Sequence, residues 1–218
     1  MTGVAATSLP VVGYQREPVP NTFFRQSAEA TRLGILLPGH RHTVDRPELH
    51  YAERVLLERG ADVLRVEYAY WKIDFMSRPE PERDAWLRAD VEAAGTQALA
   101  ERTYGRTTLV GKSLGTLAMG HLLALEAFQK SVCVWLTPLL TVRWLVERME
   151  QLHPQSLIVV GTADPFYDPA IQDHLQAVTG GRVLVLPGAD HSLEVPESVP
   201  APLLALGQIV SAMEQFIA

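Results

Sequence analysis

Past an N-terminal stretch, short apolar runs rich in β-branched residues alternate with longer segments whose apolar residues recur at helical spacing. Continuous short runs mark strands buried on both faces, so this alternation predicts a mostly parallel sheet covered by helices on both sides. The predicted strands are 34–37, 62–68, 107–110, 132–136, 157–161 and 182–186, and the predicted helices are 47–59, 83–104, 114–128, 142–152, 169–179 and 202–217. Leu49, Ala52, Leu56 and Arg59 keep helical spacing, Asp45 and Glu48 resemble a capping box, and Gly60 stands where a left-handed C-terminal residue is wanted. Gly105 and the Gly180-Gly181 pair are read as stops of two further helices. Residues 9–26 hold Pro10, Pro18 and Pro20 among β-branched and aromatic residues, which predicts one or two antiparallel edge strands. No internal repeat or low-complexity tract interrupts the pattern, so residues 1–218 read as one domain.

The strand 107–110 runs directly into Gly111-Lys112-Ser113-Leu114-Gly115, which opens a helical pattern. A serine on a strand-to-helix turn with glycine two residues to either side is a nucleophile elbow. The turn strains the serine backbone, and side chains at the glycine positions would collide with the strand and helix. Such a motif recurs by chance; the readable strand and helix around it give it weight. A serine hydroxyl needs a base and a group to orient that base. Asp164, in Gly161-Thr162-Ala163-Asp164-Pro165, and His191, in Gly188-Ala189-Asp190-His191-Ser192, each lie just past the carboxyl end of a predicted strand. In an open parallel sheet those ends share one edge, so the three side chains are expected to meet. Ser113 is then the nucleophile, His191 the base and Asp164 the orienting acid. The backbone N–H groups of Leu114 and of His40, in the loop Leu37-Pro38-Gly39-His40-Arg41, are the expected oxyanion donors.

These motifs resemble the α/β-hydrolase superfamily over nearly the whole chain, from Leu-Leu-Pro-Gly at 36–39 to Gly-Ala-Asp-His-Ser at 188–192. The chain is similar to the small, cap-poor branch that holds dienelactone-hydrolase-like and carboxylesterase-like proteins. The resemblance implies a single-domain α/β-hydrolase fold with a mostly parallel central sheet. It departs at Pro38, where many members carry histidine, and Ser113 stands where dienelactone hydrolases proper use cysteine.

Composition narrows the class. With 218 residues, 47% of them hydrophobic, the chain can bury a full core. A formal charge of −6 without basic or acidic blocks argues against a nucleic-acid surface or a polybasic membrane anchor. The single cysteine, Cys133, lies inside an apolar run and fits a reducing cytoplasm. No apolar run reaches the roughly 18 residues of a spanning helix, and residues 1–10 lack the pattern of a secretion signal. The expectation is therefore a cytoplasmic serine hydrolase that cleaves a small soluble ester or thioester through an acyl-enzyme, needing no metal or organic cofactor. The alternative is a non-catalytic interaction module that keeps the elbow as architecture.

Other candidates have plainer readings beside the functional one. Asp168 rivals Asp164 for the acid role but sits farther from its strand, and Asp190 is expected to bond within its loop. Gly-Lys-Ser is no phosphate loop, because Arg106 stands where the first glycine is required. His40, His42 and His50 lack carboxylate or thiol partners at metal-ligand spacing, so no metal is expected there. Arg41, Tyr70 and Trp71 are candidate substrate contacts. Arg41, His42 and Lys112 at the mouth either favour an anionic substrate group or are simply solvated. Tyr68, Phe75, Trp135 and Trp144 either line a pocket or belong to the core, which is the preferred reading for Trp135. His121, His153 and His174 are expected at the surface or half buried. The apolar positions of 202–217 either pack on the sheet or supply a dimer face.

Overall fold

The computed structural model describes residues 3–68, 70, 74–196 and 198–218. Eight strands form one sheet: β1 (Val4–Thr7), β2 (Asn21–Gln26), β3 (Arg32–Leu37), β4 (Asp62–Val66), β5 (Arg106–Lys112), β6 (Val132–Leu136), β7 (Gln155–Gly161) and β8 (Arg182–Leu186). Their spatial order is β1-β2-β4-β3-β5-β6-β7-β8. The strands from β3 to β8 are parallel, while β1 and β2 run antiparallel at one edge.

Successive residues of the parallel strands serve opposite faces. Leu109, Trp135, Ile158 and Val160 enter a core beneath α2 (Glu80–Leu99), α3 (Leu114–Leu122), α4 (Arg143–Leu152) and α5 (Pro169–Thr179). Val110, Val134, Leu136 and Val159 enter a second core beneath α1 (Pro47–Glu58) and α6 (Pro200–Phe216). Burial on both sides explains the uninterrupted apolar runs. Trp135 is wholly buried, as its core reading expects. In α6, Ile209 and Met213 pack inward while Leu203 and Leu204 remain exposed.

Several boundaries differ from the sequence reading, and in most of them a partner outside the element takes the group that the local pattern would have used. The N-terminal residues supply one strand of the pair from within 9–26 and another, β1, from before it; β2 is not an edge strand, since it lies between β1 and β4. The Asp45–Glu48 capping box does not form. Asp45 accepts from Arg65 at 3.0 Å and Glu48 bonds to His42, leaving α1 to begin at Pro47 without a side-chain cap. α2 ends at Leu99 rather than at Gly105, since Gly105 N–H donates to Thr31 O at 2.8 Å and the Tyr104 hydroxyl donates to buried Asp62. α3 ends at Leu122, and a 3-10 turn at Glu126–Phe128 folds Phe128 down against α2, where Gly95 leaves room for its ring. Gly60 and Gly180, by contrast, take positive φ at helix ends as expected. Among the described residues no helix is long and apolar enough to cross a membrane.

Candidate active site

The parallel strands bring three loops to one edge. Ser113 joins β5 to α3 at φ 52° and ψ −116°, a region in which a non-glycine residue is strained by about 1–3 kcal/mol. The turn is held by Ser113 N–H donating to Leu136 O at 3.0 Å and by Thr116, whose N–H and hydroxyl both donate to Ser113 O. The flanking glycines are steric necessities. A Cβ on Gly111 would lie 2.5 Å from Gly115 O, and one on Gly115 would lie 1.9 Å from Leu37 O. Gly115→Ala must therefore push α3 away from β3; we expect a loss of at least about 3 kcal/mol, the upper end of ordinary overpacking. Urea denaturation measures it, and an unchanged midpoint would remove the steric account.

His191, between β8 and α6, reaches back over the intervening strand ends. Its Nε2 is 2.7 Å from Ser113 Oγ and its Nδ1 is 2.8 Å from Asp164 Oδ2. Asp164 is buried, and its other oxygen accepts from Phe166 N–H at 2.9 Å, which sets the plane of the carboxylate. The Phe166 ring meets the imidazole edge-on, with centroids 4.9 Å apart. Gly161, to which the sequence reading gave no role, lets the Asp164 and His191 loops touch: a Cβ there would lie 2.1 Å from Ala189 O. Ala163 N–H donates to that same carbonyl. The signal in the sequence was a glycine ending a strand three residues before the aspartate.

The rival acids are spent elsewhere. Asp168 caps α5 by accepting from Ala170 and Ile171 N–H, and Asp190 accepts from Ser192 and Glu194 N–H within its own loop.

The loop after β3 crosses the elbow closely enough that a Cβ on Gly39 would lie 3.2 Å from both Lys112 O and the Ser113 Cβ. His40 thus sits beside Ser113. Among the described residues neither the His40 N–H nor the Leu114 N–H is taken by another protein group. The His40 ring packs on Phe75, and burial lowers its pKa, with Arg41 adding to the effect.

Two hollows flank the serine. A cleft of about 450 Å³ on the α1–α6 side is lined by His40, Arg41, His42, Glu48, Glu194 and Leu206, among others. On the α2–α4 side lies a groove of about 740 Å³. It starts at Leu114 and Phe166 and continues along Leu117, Leu139, Trp144 and Met76. Arg41 is among the residues lining the cleft, and Trp144 and Phe75 line the groove.

Other expectations need correction. Tyr70 makes no substrate wall. It is only 4% exposed, stacks between Tyr68 and Phe75, and gives its hydroxyl proton to Asp90 Oδ2 at 2.7 Å. Trp71 lies outside the described residues. His121 is buried against Trp144 and faces Asp84 rather than the surface. His42 bonds Glu48 and His50 packs edge-on to Tyr51. Lys112 does not reach the mouth as a solvated charge: it is 2% exposed, with its ammonium on Thr137 Oγ1 at 2.5 Å and on the His191 carbonyl. Alternation along β5 turns it toward the α1–α6 face with Val110.

A family model described as an alpha/beta hydrolase domain matches residues 39–218. No curated protein matches the sequence. Among solved structures, a dienelactone hydrolase from Anabaena variabilis is 15% identical with a TM-score of 0.74, over 99% of this chain and 97% of that one. An α/β serine hydrolase without lid from Xanthomonas campestris is 19% identical with a TM-score of 0.68, over 100% and 94%. A carboxyl esterase from Tuber melanosporum is 15% identical with a TM-score of 0.64, over 99% and 87%. At these identities the likeness is one of fold.

Proposed function

Because the chain belongs to the α/β-hydrolase family, we propose that it is a serine hydrolase that cleaves small soluble esters or thioesters through an acyl-enzyme. The observation that carries this reading is the unbroken hydrogen-bonded run from Ser113 through His191 to Asp164 on a strained elbow. Ser113 Oγ attacks the carbonyl carbon while His191 Nε2 takes its proton. Asp164 holds the imidazole with its proton on Nδ1 and stabilises the imidazolium. The carbonyl oxygen, now negative, is received by the N–H groups of Leu114 and His40; a donor of this kind contributes about 2.7–4 kcal/mol to transition-state binding. His191 then passes its proton to the leaving alcohol or thiol. Water attacks the acyl-enzyme by the same route in reverse, with His191 again the base.

The two hollows divide the substrate. The apolar groove receives the acyl group, and the polar cleft beside Arg41 and His42 receives the leaving group. In a p-nitrophenyl ester series, kcat/KM is expected to rise from acetate to hexanoate by up to about fourfold per methylene, the transfer value of a buried CH₂ group. A flat series would put the acyl group outside the groove. Treatment with a fluorophosphonate probe followed by peptide mass spectrometry tests the reaction itself: labelling is expected at Ser113 alone. A folded protein that takes up no label would instead be a binding module. The single buried thiol is the basis for assigning the enzyme to a reducing cytoplasm, where it acts as a monomer or homodimer.

A further inference from the structure

The buried lysine inside the elbow has no part in the mechanism above. Lys112 precedes the nucleophile, and its ammonium touches two other loops: the Thr137 hydroxyl at the end of β6 and the main-chain carbonyl of His191 beyond β8. Thr137 is itself fully buried with φ 43°, so its hydroxyl is held in place by a constrained backbone. Buried Glu48 faces the same ammonium from α1, and His42 is bonded to that carboxylate at 2.7 Å. A buried cation is retained only where such partners offset its lost hydration. Burial pushes its pKa down to about 8, against the opposing pull of the Glu48, Asp164 and Asp190 carboxylates.

The base loop has a mechanical need for this contact. β8 lies three strands from β5 in the sheet, so the loop must span the ends of β6 and β7 to bring the imidazole to Ser113. On its far side the loop is tied to the acid loop through Ala163 and Thr162, whose partners are Ala189 O and Gly188 N–H. Within itself it is tied by Asp190. Among the described residues, the bond from the Lys112 ammonium to the His191 carbonyl is, apart from the imidazole's own bond to Ser113, what ties His191 to the strand that carries the serine.

Resting on the serine-hydrolase reading, we propose that Lys112 is a positioning residue: by holding the His191 carbonyl it sets the imidazole at Ser113 Oγ. Removing it lets the base loop drift while the apolar groove, which holds no residue of that loop, stays intact. Displacement of a reacting group by about 1 Å costs on the order of 10²-fold in rate.

The test compares wild type with Lys112→Met, a side chain of similar reach that suits the buried position, and with Lys112→Gln, which restores a neutral donor. With p-nitrophenyl butyrate, Lys112→Met is expected to lose about 10- to 100-fold in kcat with KM within about twofold. Fluorophosphonate labelling slows in proportion. The downfield proton NMR signal of the His191 Nδ1–H bonded to Asp164 broadens or disappears. Lys112→Gln recovers part of both, and carries the test if the Met variant does not fold. Unlabelled wild type would refute the hydrolase reading itself. Labelled wild type with a Met variant labelled equally fast would refute only the positioning role. A rise in KM at constant kcat would overturn it in favour of a substrate contact in the cleft. A slowed variant with an unbroadened downfield proton would overturn it too, since the base would then be ordered without Lys112.

Discussion

Ser113→Ala is expected to lower kcat by about 10⁴- to 10⁶-fold and to abolish fluorophosphonate labelling, with little change in stability. The reason for the first effect is that nothing else near the oxyanion donors can attack. Among the described residues lining the cleft, the other hydroxyl, Ser192, has its loop turned by Asp190 and is not hydrogen-bonded to His191. The reason for the second is that the serine side chain makes one hydrogen bond, to a half-buried imidazole that water can satisfy instead. The backbone strain at φ 52° stays with alanine, which shares the restriction on positive φ. Ser113→Gly removes it, so the glycine variant is expected to be equally inactive yet more stable than the alanine variant by about 1 kcal/mol or more. Turnover, labelling and urea midpoints of the three proteins decide the matter. Residual turnover within tenfold of wild type in Ser113→Ala would assign the chemistry to another group.

Asp164→Asn is expected to cost about 10⁴-fold in kcat while leaving KM and the fold nearly unchanged. One carboxylate oxygen accepts from Phe166 N–H and the other from His191 Nδ1. An asparagine has a single acceptor oxygen. If that oxygen stays on the Phe166 N–H, which is fixed by the turn, the amide NH₂ faces Nδ1. Nδ1 must then be the acceptor, the ring proton moves to Nε2, and the imidazole can no longer take the proton from Ser113. The loss is therefore one of tautomer rather than of position. Fluorophosphonate labelling should slow in step with turnover, whereas stability should fall by only about 1.5–3 kcal/mol, the scale of one charged hydrogen bond. Full activity in Asp164→Asn would show that another group orients the base, and Asp168 and Asp190 are already engaged in capping and turn bonds.

The elbow, the order of the three loops and the sheet core were legible because each depends on near neighbours in the chain. Gly111 and Gly115 announce a tight turn by their spacing, and the apolar runs of β6 and β7 announce two-sided burial. Element ends were less legible. Gly105 reads as a helix stop, but α2 had already ended at Leu99, since Tyr104 is held by Asp62 on β4 and Gly105 by Thr31 just before β3. Asp45 and Glu48 have capping-box spacing, yet Arg65 and His42 claim them first. A local capping bond of modest net value yields readily to the stronger bonds these two carboxylates make elsewhere.

By itself, then, the sequence determined the α/β architecture, the strained turn at Ser113 and the placement of Asp164 and His191 at strand ends on the same rim. Backbone conformation and strand direction are set by short-range sterics and hydrophobic periodicity, which a linear reading can follow. Only the tertiary structure decided where individual polar side chains go: Lys112 to the base loop, Tyr70 to the core, His121 to the groove wall. Those destinations depend on which residues the sheet order makes neighbours. Desolvation then favours a partner for a buried polar group, as the Lys112 ammonium and the Tyr70 hydroxyl find.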